Sequence, residues 1–298
     1  MTSKKLTILV NQQAGLGHAD RVAELTAGVQ AMDLDAEVTT TESAADMAGS
    51  LRRMADEGVP LVAVAGGDGT VACAARALAH TETALGIIPQ GTANNFATSL
   101  GLPRETPAAL AVIRDGSARR VDLGRVGTHL FTEAAGIGFF ADALALYQGG
   151  GRARLARVLY AMTRVWMSIR PKRVRLSVDG EPFRERLIMC TVANSSRMAL
   201  ADTMAPDARV TDGLLDVILI GDLSRFEIIS YYNAIKHHRH LELPKVASLK
   251  AKEVRIESRA PMNVHCDDQV VGQTPASFGV EPGALRVITL GATGDAKP

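Results

Sequence analysis

Aromatic residues are scarce in this 298-residue chain: Phe, Trp and Tyr make up 4% of it, with a single Trp, although 47% of the residues are hydrophobic. Its cores must therefore be packed from Ala, Val, Leu and Ile, which suits helices laid on sheets. Cysteine is nearly as rare. Cys73, Cys190 and Cys266 are odd in number, widely spaced and without a CxxC pair, so zinc-ribbon and dithiol redox motifs are excluded and a reducing, cytoplasmic setting fits best. Charge of one sign is not in excess either, with Lys+Arg 33 against Asp+Glu 32 and a net charge of +1. Nucleic acid is thus not an expected partner, and attraction to an anionic surface has to be local. No stretch approaches the roughly 18 consecutive apolar residues of a membrane span, so action on lipid would proceed from the membrane surface. The opening Met1 to Val10 has a short apolar run that is too brief for a signal-peptide core and reads as a first strand.

The first part of the chain alternates strand and helix patterns. Strands are expected at Leu6 to Val10, Ala36 to Thr40, Leu61 to Ala65 and Ala84 to Ile88. Helices are expected around Asp20 to Ala31, Ser43 to Glu57 and Val71 to Ala79. This rhythm predicts an α/β fold whose first domain is a Rossmann-like parallel sheet, with ligands beyond the carboxyl ends of its strands. From about Val121 strand patterns dominate, with helical patterns only near Ala153 to Ile169 and Arg225 to His237. The expectation is two domains: residues 1–122 bind nucleotide, and residues 123–298 form a β-rich, sandwich-like unit whose last strand is a candidate to return to the first.

Two glycine turns carry the chemistry. Leu61 to Ala65 is a buried strand running into Gly66-Gly67-Asp68-Gly69-Thr70, where glycines let backbone N–H groups approach an anion and the next helix presents its positive end. Asp68 in such a loop calls for a metal ion or a polarised hydroxyl to balance it. The spacing is neither a Walker loop nor a dinucleotide fingerprint. A second loop repeats the arrangement after the next strand: Gly91-Thr92-Ala93-Asn94-Asn95-Phe96-Ala97. Taken alone either could be a structural turn, whereas two on neighbouring strands point to phosphate binding.

This pair of motifs resembles the catalytic domain of bacterial diacylglycerol and other lipid kinases, related more distantly to sphingosine kinases and NAD kinases. The resemblance implies ATP and Mg²⁺ as cofactors, a lipid acceptor at an anionic membrane surface, peripheral attachment to the inner face of that membrane, and a homodimer as a further partner to consider. Asn11 opens the segment Asn11-Gln12-Gln13-Ala14-Gly15, which stands where the family has an early NPxxG-like turn, and Thr41 lies where it has a nucleotide-contacting threonine. Nucleotide-binding residues by the same resemblance are Gly66, Gly67, Asp68, Gly69, Thr70, Gly91, Thr92, Asn94 and Asn95, in a network that includes Asp122. The segment Pro206 to Asp216 resembles a late motif in which the Asp212 carboxylate and the backbone carbonyls of Arg209 and Leu214 hold a structural Mg²⁺. Local chemistry alone also allows an ordinary Asp-Gly turn there.

For deprotonating the acceptor, the family uses an Asp-Gly-Glu segment near the C-terminus. This chain has Asp267-Asp268-Gln269, and a glutamine cannot take a proton. Asp267 or Asp268 is the expected substitute, and the rival segment Asp179-Gly180-Glu181-Pro182 reads as a hairpin turn. Two other family carboxylates are replaced, by Ala72-Cys73 and by Asn95. The alternatives are therefore a degenerate member that binds lipid or nucleotide without turnover, and a kinase of soluble substrates such as NAD. Finally, Arg152, Arg154, Arg157, Arg164, Arg170, Lys172, Arg173 and Arg175 accumulate with no acidic residue between Asp142 and Asp179. They accompany a helical apolar stripe of Leu155, Val158, Leu159, Met162, Val165, Trp166 and Ile169, which fits either a lipid interface or a core-packed helix with a solvated basic face.

Overall fold

The computed structural model describes residues 5–12, 18–146, 154–198 and 202–290. It divides into two compact units, one comprising the residues up to Asp122 together with those from Pro282 onward, the other Leu123–Glu281. In chain order, the first unit contains β1 (Leu6–Asn11), α1 (His18–Ala31), β2 (Ala36–Thr41), α2 (Ala44–Asp56), β3 (Leu61–Gly66), α3 (Asp68–Leu78), β4 (Ala84–Pro89), α4 (Asn95–Ser99) and α5 (Thr106–Asp115). The strand β5 (Ser117–Val126) carries the chain across the division. The second unit continues with β6 (His129–Phe131), β7 (Ala134–Gly138), α6 (Phe139–Leu146), α7 (Arg154–Ser168), β8 (Lys172–Val178), β9 (Glu181–Leu187), β10 (Met189–Ala193), β11 (Arg197–Met198), β12 (Asp202–Thr203) and β13 (Leu215–Ile220). It ends with α8 (Arg225–Lys236), β14 (Val246–Ala251), β15 (Glu253–Ser258), β16 (Asn263–Cys266), β17 (Gln269–Gln273) and β18 (Ala276–Thr289), whose last residues belong to the first unit.

In the first unit the strands run parallel in the order β2-β1-β3-β4, and Arg286 and Val287 of β18 add a further parallel neighbour to β4. Val62, Ala63, Val64 and Ala65 are buried, as a strand covered on both faces requires. Helices pack close because their inner residues are small: α3 buries Ala72, Ala74, Ala75 and Ala77. A core of Ile8, Val10, Leu25, Ala63, Ile88 and Leu110 ties α1 and α5 to the sheet. The sequence places the start of α3 at Val71, but the helix begins three residues earlier. Gly67 caps it, accepting from the N–H groups of Thr70 and Val71 at 3.0 Å each, so Asp68 stands in the first helical turn.

The second unit is a β-sandwich. One sheet has the order β14-β13-β10-β7-β16-β17, and the other pairs the first residues of β18 with β15, then β8 and β9. Ile137, Val192 and Val217 from one sheet meet Leu176, Ile256 and Phe278 from the other in a shared core. The segment Asp179-Gly180 is the two-residue turn between β8 and β9, with φ of +49° and +91°, as a tight hairpin of the right twist demands. The Asp179 carboxylate is used up accepting the N–H groups of Lys252 and Glu253.

Candidate active site

At the carboxyl edge of the parallel sheet the strands end in one row: Thr41 on β2, Asn11 on β1, Gly66 on β3 and Pro89 on β4. The chain leaves β1 for β2 on one side and reaches β3 and β4 on the other, so the row contains the topological switch point where such sheets take ligands. Thr41 is buried and pairs with Asn11 in register. Gln13, Ala14 and Gly15 of the early turn lie outside the described residues.

The two glycine turns touch backbone to backbone. A Cβ on Gly91 would stand 2.5 Å from the Gly67 Cα, and one on Gly67 3.0 Å from the Gly91 Cα, so neither position admits a side chain without displacing main chain. Asp68 locks the contact: Oδ2 accepts the Asn94 N–H at 2.9 Å and Oδ1 accepts the Asn95 N–H at 2.6 Å. Asn94, held at φ +54°, closes the second turn on itself, its amide accepting from Gly91 N–H and donating to Gly91 C=O, each at 2.8 Å. Arg104 anchors the outside by donating to the carbonyls of Thr92 and Ala93. With the Thr70 and Val71 N–H groups donating to Gly67 C=O, the Asp68 and Gly69 N–H groups at the start of α3 are left without a partner in the helix, and the buried Gln90 Oε1 has no hydrogen-bond partner among the described residues. Open donors at a helix N-terminus beside a spare acceptor suit a phosphorylated ligand with an amino or hydroxyl group. Each oxygen of Asp68 accepts one backbone N–H, so the carboxylate clamps the two turns together and keeps a further lone pair on each oxygen for the metal or hydroxyl that the sequence called for. Asp122, which the resemblance draws into the nucleotide network, is buried in the same unit but accepts the Gly283 N–H at 2.7 Å, three residues before Arg286 pairs with the first residue of β4, towards the amino end of that strand and not at its carboxyl edge. At the position of the missing family carboxylate, Cys73 donates its thiol to Ala44 C=O, and burial raises its pKa.

In the second unit Asp267, Asp268 and Gln269 form the tip between β16 and β17. Asp267, at φ +50°, is a brace. Oδ1 accepts the Glu133 N–H at 2.9 Å, Oδ2 accepts the Thr132 N–H at 3.2 Å, and its own N–H donates to Ala134 C=O. Asp268 and Gln269 are exposed. Behind the tip, His265 is fully buried. Its Nδ1–H donates to Asp267 C=O at 3.2 Å, its ring meets Phe140 edge to face at 4.8 Å, and burial holds its pKa down at about 4. Sequence reasoning missed Glu133, a buried carboxylate in the braced segment whose carbonyl accepts from the N–H groups of Asn194 and Ser195. Only its partners across the sheet mark it out.

The Asp212 turn differs from what the resemblance implies. Asp212 Oδ1 accepts the Leu214 N–H at 3.1 Å, but Oδ2 faces an ammonium group: Lys250 Nζ donates to Asp212 Oδ2 at 2.9 Å, Asp216 Oδ2 at 3.1 Å and Asp207 C=O at 3.3 Å. The residues present therefore do not fit a divalent ion as drawn from the sequence, because a cation of the chain already holds the carboxylate that would ligate it. Among the described residues no group of three or more His, Cys, Asp or Glu side chains is placed to hold a metal. Burial raises the pKa of Asp216 in spite of Lys250. For Lys250 burial acts to lower the pKa, but the hydrogen bond it donates to Asp212 and the charge of Asp216 outweigh it and raise it. The two directions agree once exposure is considered: the Asp216 side chain is 4% exposed and bears the desolvation cost, whereas that of Lys250 is 39% exposed.

The basic stretch after Asp142 is split between elements. On α7, Ala161 and Val165 are buried and Val158, Met162 and Trp166 half-buried, so most of the expected interface stripe faces protein, and Ile169 just beyond packs on a core cluster. Leu159, Tyr160 and Met167 form the exposed apolar edge. Arg152 lies outside the described residues. The following hairpin sets Arg173 directly opposite Arg186 and Arg175 opposite Arg184. These four arginines line a cavity of about 1110 Å³, while α6 and α7 line another of about 420 Å³ with Phe139, Leu146, Val165, Ile169, Arg170 and Lys172. No helix among the described residues is long and apolar enough to cross a membrane.

A parallel-sheet unit with two interlocked glycine turns at its carboxyl edge, in one chain with a β-sandwich, defines a two-domain α/β class built to hold a phosphorylated ligand. Comparison with known proteins gives the same class. Residues 5–126 match the diacylglycerol kinase catalytic domain and residues 143–289 the YegS C-terminal NAD kinase beta sandwich-like domain. A diacylglycerol kinase of Mycobacterium tuberculosis is 31% identical over 296 residues, covering 95% of this chain and 94% of that protein. One from Staphylococcus carnosus is 27% identical over 282 residues, covering 92% of each. A solved diacylglycerol kinase from Bacillus anthracis shares the fold with a TM-score of 0.74 at 21% identity, over 99% of this chain and 100% of that one. A second Bacillus anthracis structure reaches 0.82 at 23% identity, over 99% and 98%. The chain belongs to the diacylglycerol kinase family: it is a phosphotransferase with an alcohol group as acceptor and ATP as the donor.

Proposed function

We propose that this chain transfers the γ-phosphate of ATP to a hydroxyl of diacylglycerol or a related lipid at the surface of an anionic membrane. The observation that supports the nucleotide half is the Asp68 clamp, which ties the second glycine turn to the start of α3, where the Asp68 and Gly69 N–H groups have no partner in the helix and suit an anionic phosphate. In the transfer the acceptor oxygen attacks the γ-phosphorus, the bond to the β,γ-bridging oxygen breaks, ADP leaves with the bonding electrons, and the hydroxyl proton passes to a carboxylate. Asp268 suits that last task better than Asp267, since it is exposed at the hairpin tip while Asp267 is committed to backbone donors. The magnesium that ATP carries neutralises phosphate charge.

The acceptor half is supported by the second unit. The cavity beside α7 joins apolar walls to Arg170 and Lys172, a combination that suits an amphiphile. Like charges directly opposed across a hairpin are unfavourable in isolation; Arg186 is compensated by Asp222 at 3.4 Å, and an anionic lipid surface would add further compensation to the remaining arginines. ADP release from Mg·ATP, measured with diacylglycerol, phosphatidylglycerol and sphingoid-base micelles and with NAD, tests the reading. Turnover that depends on a lipid supports it, and turnover with NAD alone, or with no acceptor of the panel, defeats it. The paired substitution Arg173→Glu with Arg184→Glu is expected to weaken sedimentation with anionic vesicles about 10-fold or more and to leave binding to uncharged micelles unaltered.

A further inference from the structure

The Asp207–Asp216 turn brings two carboxylates and a carbonyl to a common point, and Lys250 reaches it from the neighbouring strand. Asp216 and Lys250 stand directly opposite each other in the β13–β14 register, so the ammonium is positioned by strand pairing and does not rely on a loose surface side chain. Its three N–H groups meet three acceptors, Asp212 Oδ2, Asp216 Oδ2 and Asp207 C=O, at 2.9, 3.1 and 3.3 Å. That is the full donor complement of a lysine. Gly213, at φ +68°, makes the turn that lets Asp212 Oδ1 accept the Leu214 N–H while Oδ2 is presented to the ammonium.

We propose that Lys250 is a tethered cation that takes the place of a divalent ion in this turn, making the Asp207–Asp216 segment independent of metal. A magnesium ion would need Asp212 Oδ2 at roughly 2.0–2.1 Å with near-octahedral oxygen ligands, and the same oxygen cannot serve it while it accepts from an ammonium 2.9 Å away. Two cations so close repel each other strongly at a site where one carboxylate is almost completely buried. One positive charge against two carboxylates, helped by a carbonyl dipole, holds the turn without an ion from solution. The Mg²⁺ dependence of the enzyme is then confined to the nucleotide.

The test is thermal melting of the nucleotide-free full chain in EDTA and in millimolar Mg²⁺ or Ca²⁺, together with Mn²⁺ titration followed by electron paramagnetic resonance. The wild-type chain is expected to melt at one temperature in all three solutions and to bind no Mn²⁺ at this turn. Lys250→Met is expected to melt about 3 °C or more lower in EDTA, to recover part of the loss in Mg²⁺ or Ca²⁺, and to gain one Mn²⁺ site that Asp212→Asn removes. A wild-type melting temperature that rises with Mg²⁺, in a response abolished by Asp212→Asn, overturns the proposal, as does a Lys250→Met chain as stable in EDTA as the parent. If Lys250→Met does not fold, the wild-type Mn²⁺ titration alone decides: a site lost in Asp212→Asn refutes the tethered cation, and no such site supports it.

Discussion

Asp68 in the first unit and Asp267 in the second do the same mechanical work in different settings. Each carboxylate accepts the N–H groups of two consecutive residues far away in the chain, Asn94 and Asn95 for the one, Thr132 and Glu133 for the other. Charge-assisted bonds of this kind are about twice as strong as neutral ones, so each aspartate ties a distant loop to its own. The settings differ in what the clamp leaves exposed. Asp68 sits in the first turn of α3 and leaves helix N–H groups open to an anion, whereas Asp267 turns the tip of a hairpin and leaves Asp268 and Gln269 at the surface. A carboxylate inside a catalytic-looking motif can thus serve by holding the donors and neighbours that do the chemistry in place.

If that comparison is right, the largest effect falls on Asp68→Ala. Release of the second glycine turn should lower phosphoryl transfer about 1000-fold or more, because misplacement of about an ångström in a reacting site already costs about 100-fold, while the melt stays cooperative. Unchanged turnover would sink the clamp. Asp267→Ala should be felt chiefly as stability, about 3 kcal/mol or more, since it leaves several donors of the Thr132–Glu133 segment unpaired; urea denaturation measures it.

His265 sharpens the contrast through pH. Its pKa falls from 6.5 to about 4 on folding, so the unfolded chain takes up the proton first as pH drops. Stability is therefore complete above pH 6.5 and is lost as pH falls through about 4, by up to about 3 kcal/mol. His265→Gln should flatten that part of the stability profile, and a variant with the same acid sensitivity as the parent would put its origin elsewhere. The smallest effect is expected for Asp268→Asn, about 10-fold in turnover with stability unaltered, measured by steady-state kinetics.

The nucleotide end of this molecule was legible in the sequence because its parts are contiguous. A buried strand, three glycines and a helix are written in one stretch from Leu61 to Leu78, and the second turn follows the next strand, so the parallel sheet could be read from alternation alone. The clamping role of Asp68 was not legible, since its hydrogen-bond partners lie 26 and 27 residues away. In the second unit the distances are longer still. Asp267 is joined to Thr132 and Glu133 across 135 and 134 residues, and Lys250 to Asp212 across 38, spacings that follow no local period. The edge strand β9, Glu181–Leu187, is hard to read for a different reason: its side chains are exposed up to Leu187, so it lacks the alternation that betrays a half-buried strand. On α7 the apolar stripe was seen, but whether it met lipid or protein depended on neighbours the sequence does not place beside it.

The central claim is phosphoryl transfer to a lipid hydroxyl by the clamped glycine turns, and it is tested most directly by incubating the wild-type chain and Asp68→Ala with γ-labelled Mg·ATP and diacylglycerol in mixed micelles. The account predicts label in a lipid phosphate monoester with the wild-type chain and near-background label with the variant. Label that stays in ATP or inorganic phosphate with the wild-type chain, or that reaches lipid equally with Asp68→Ala, would contradict it.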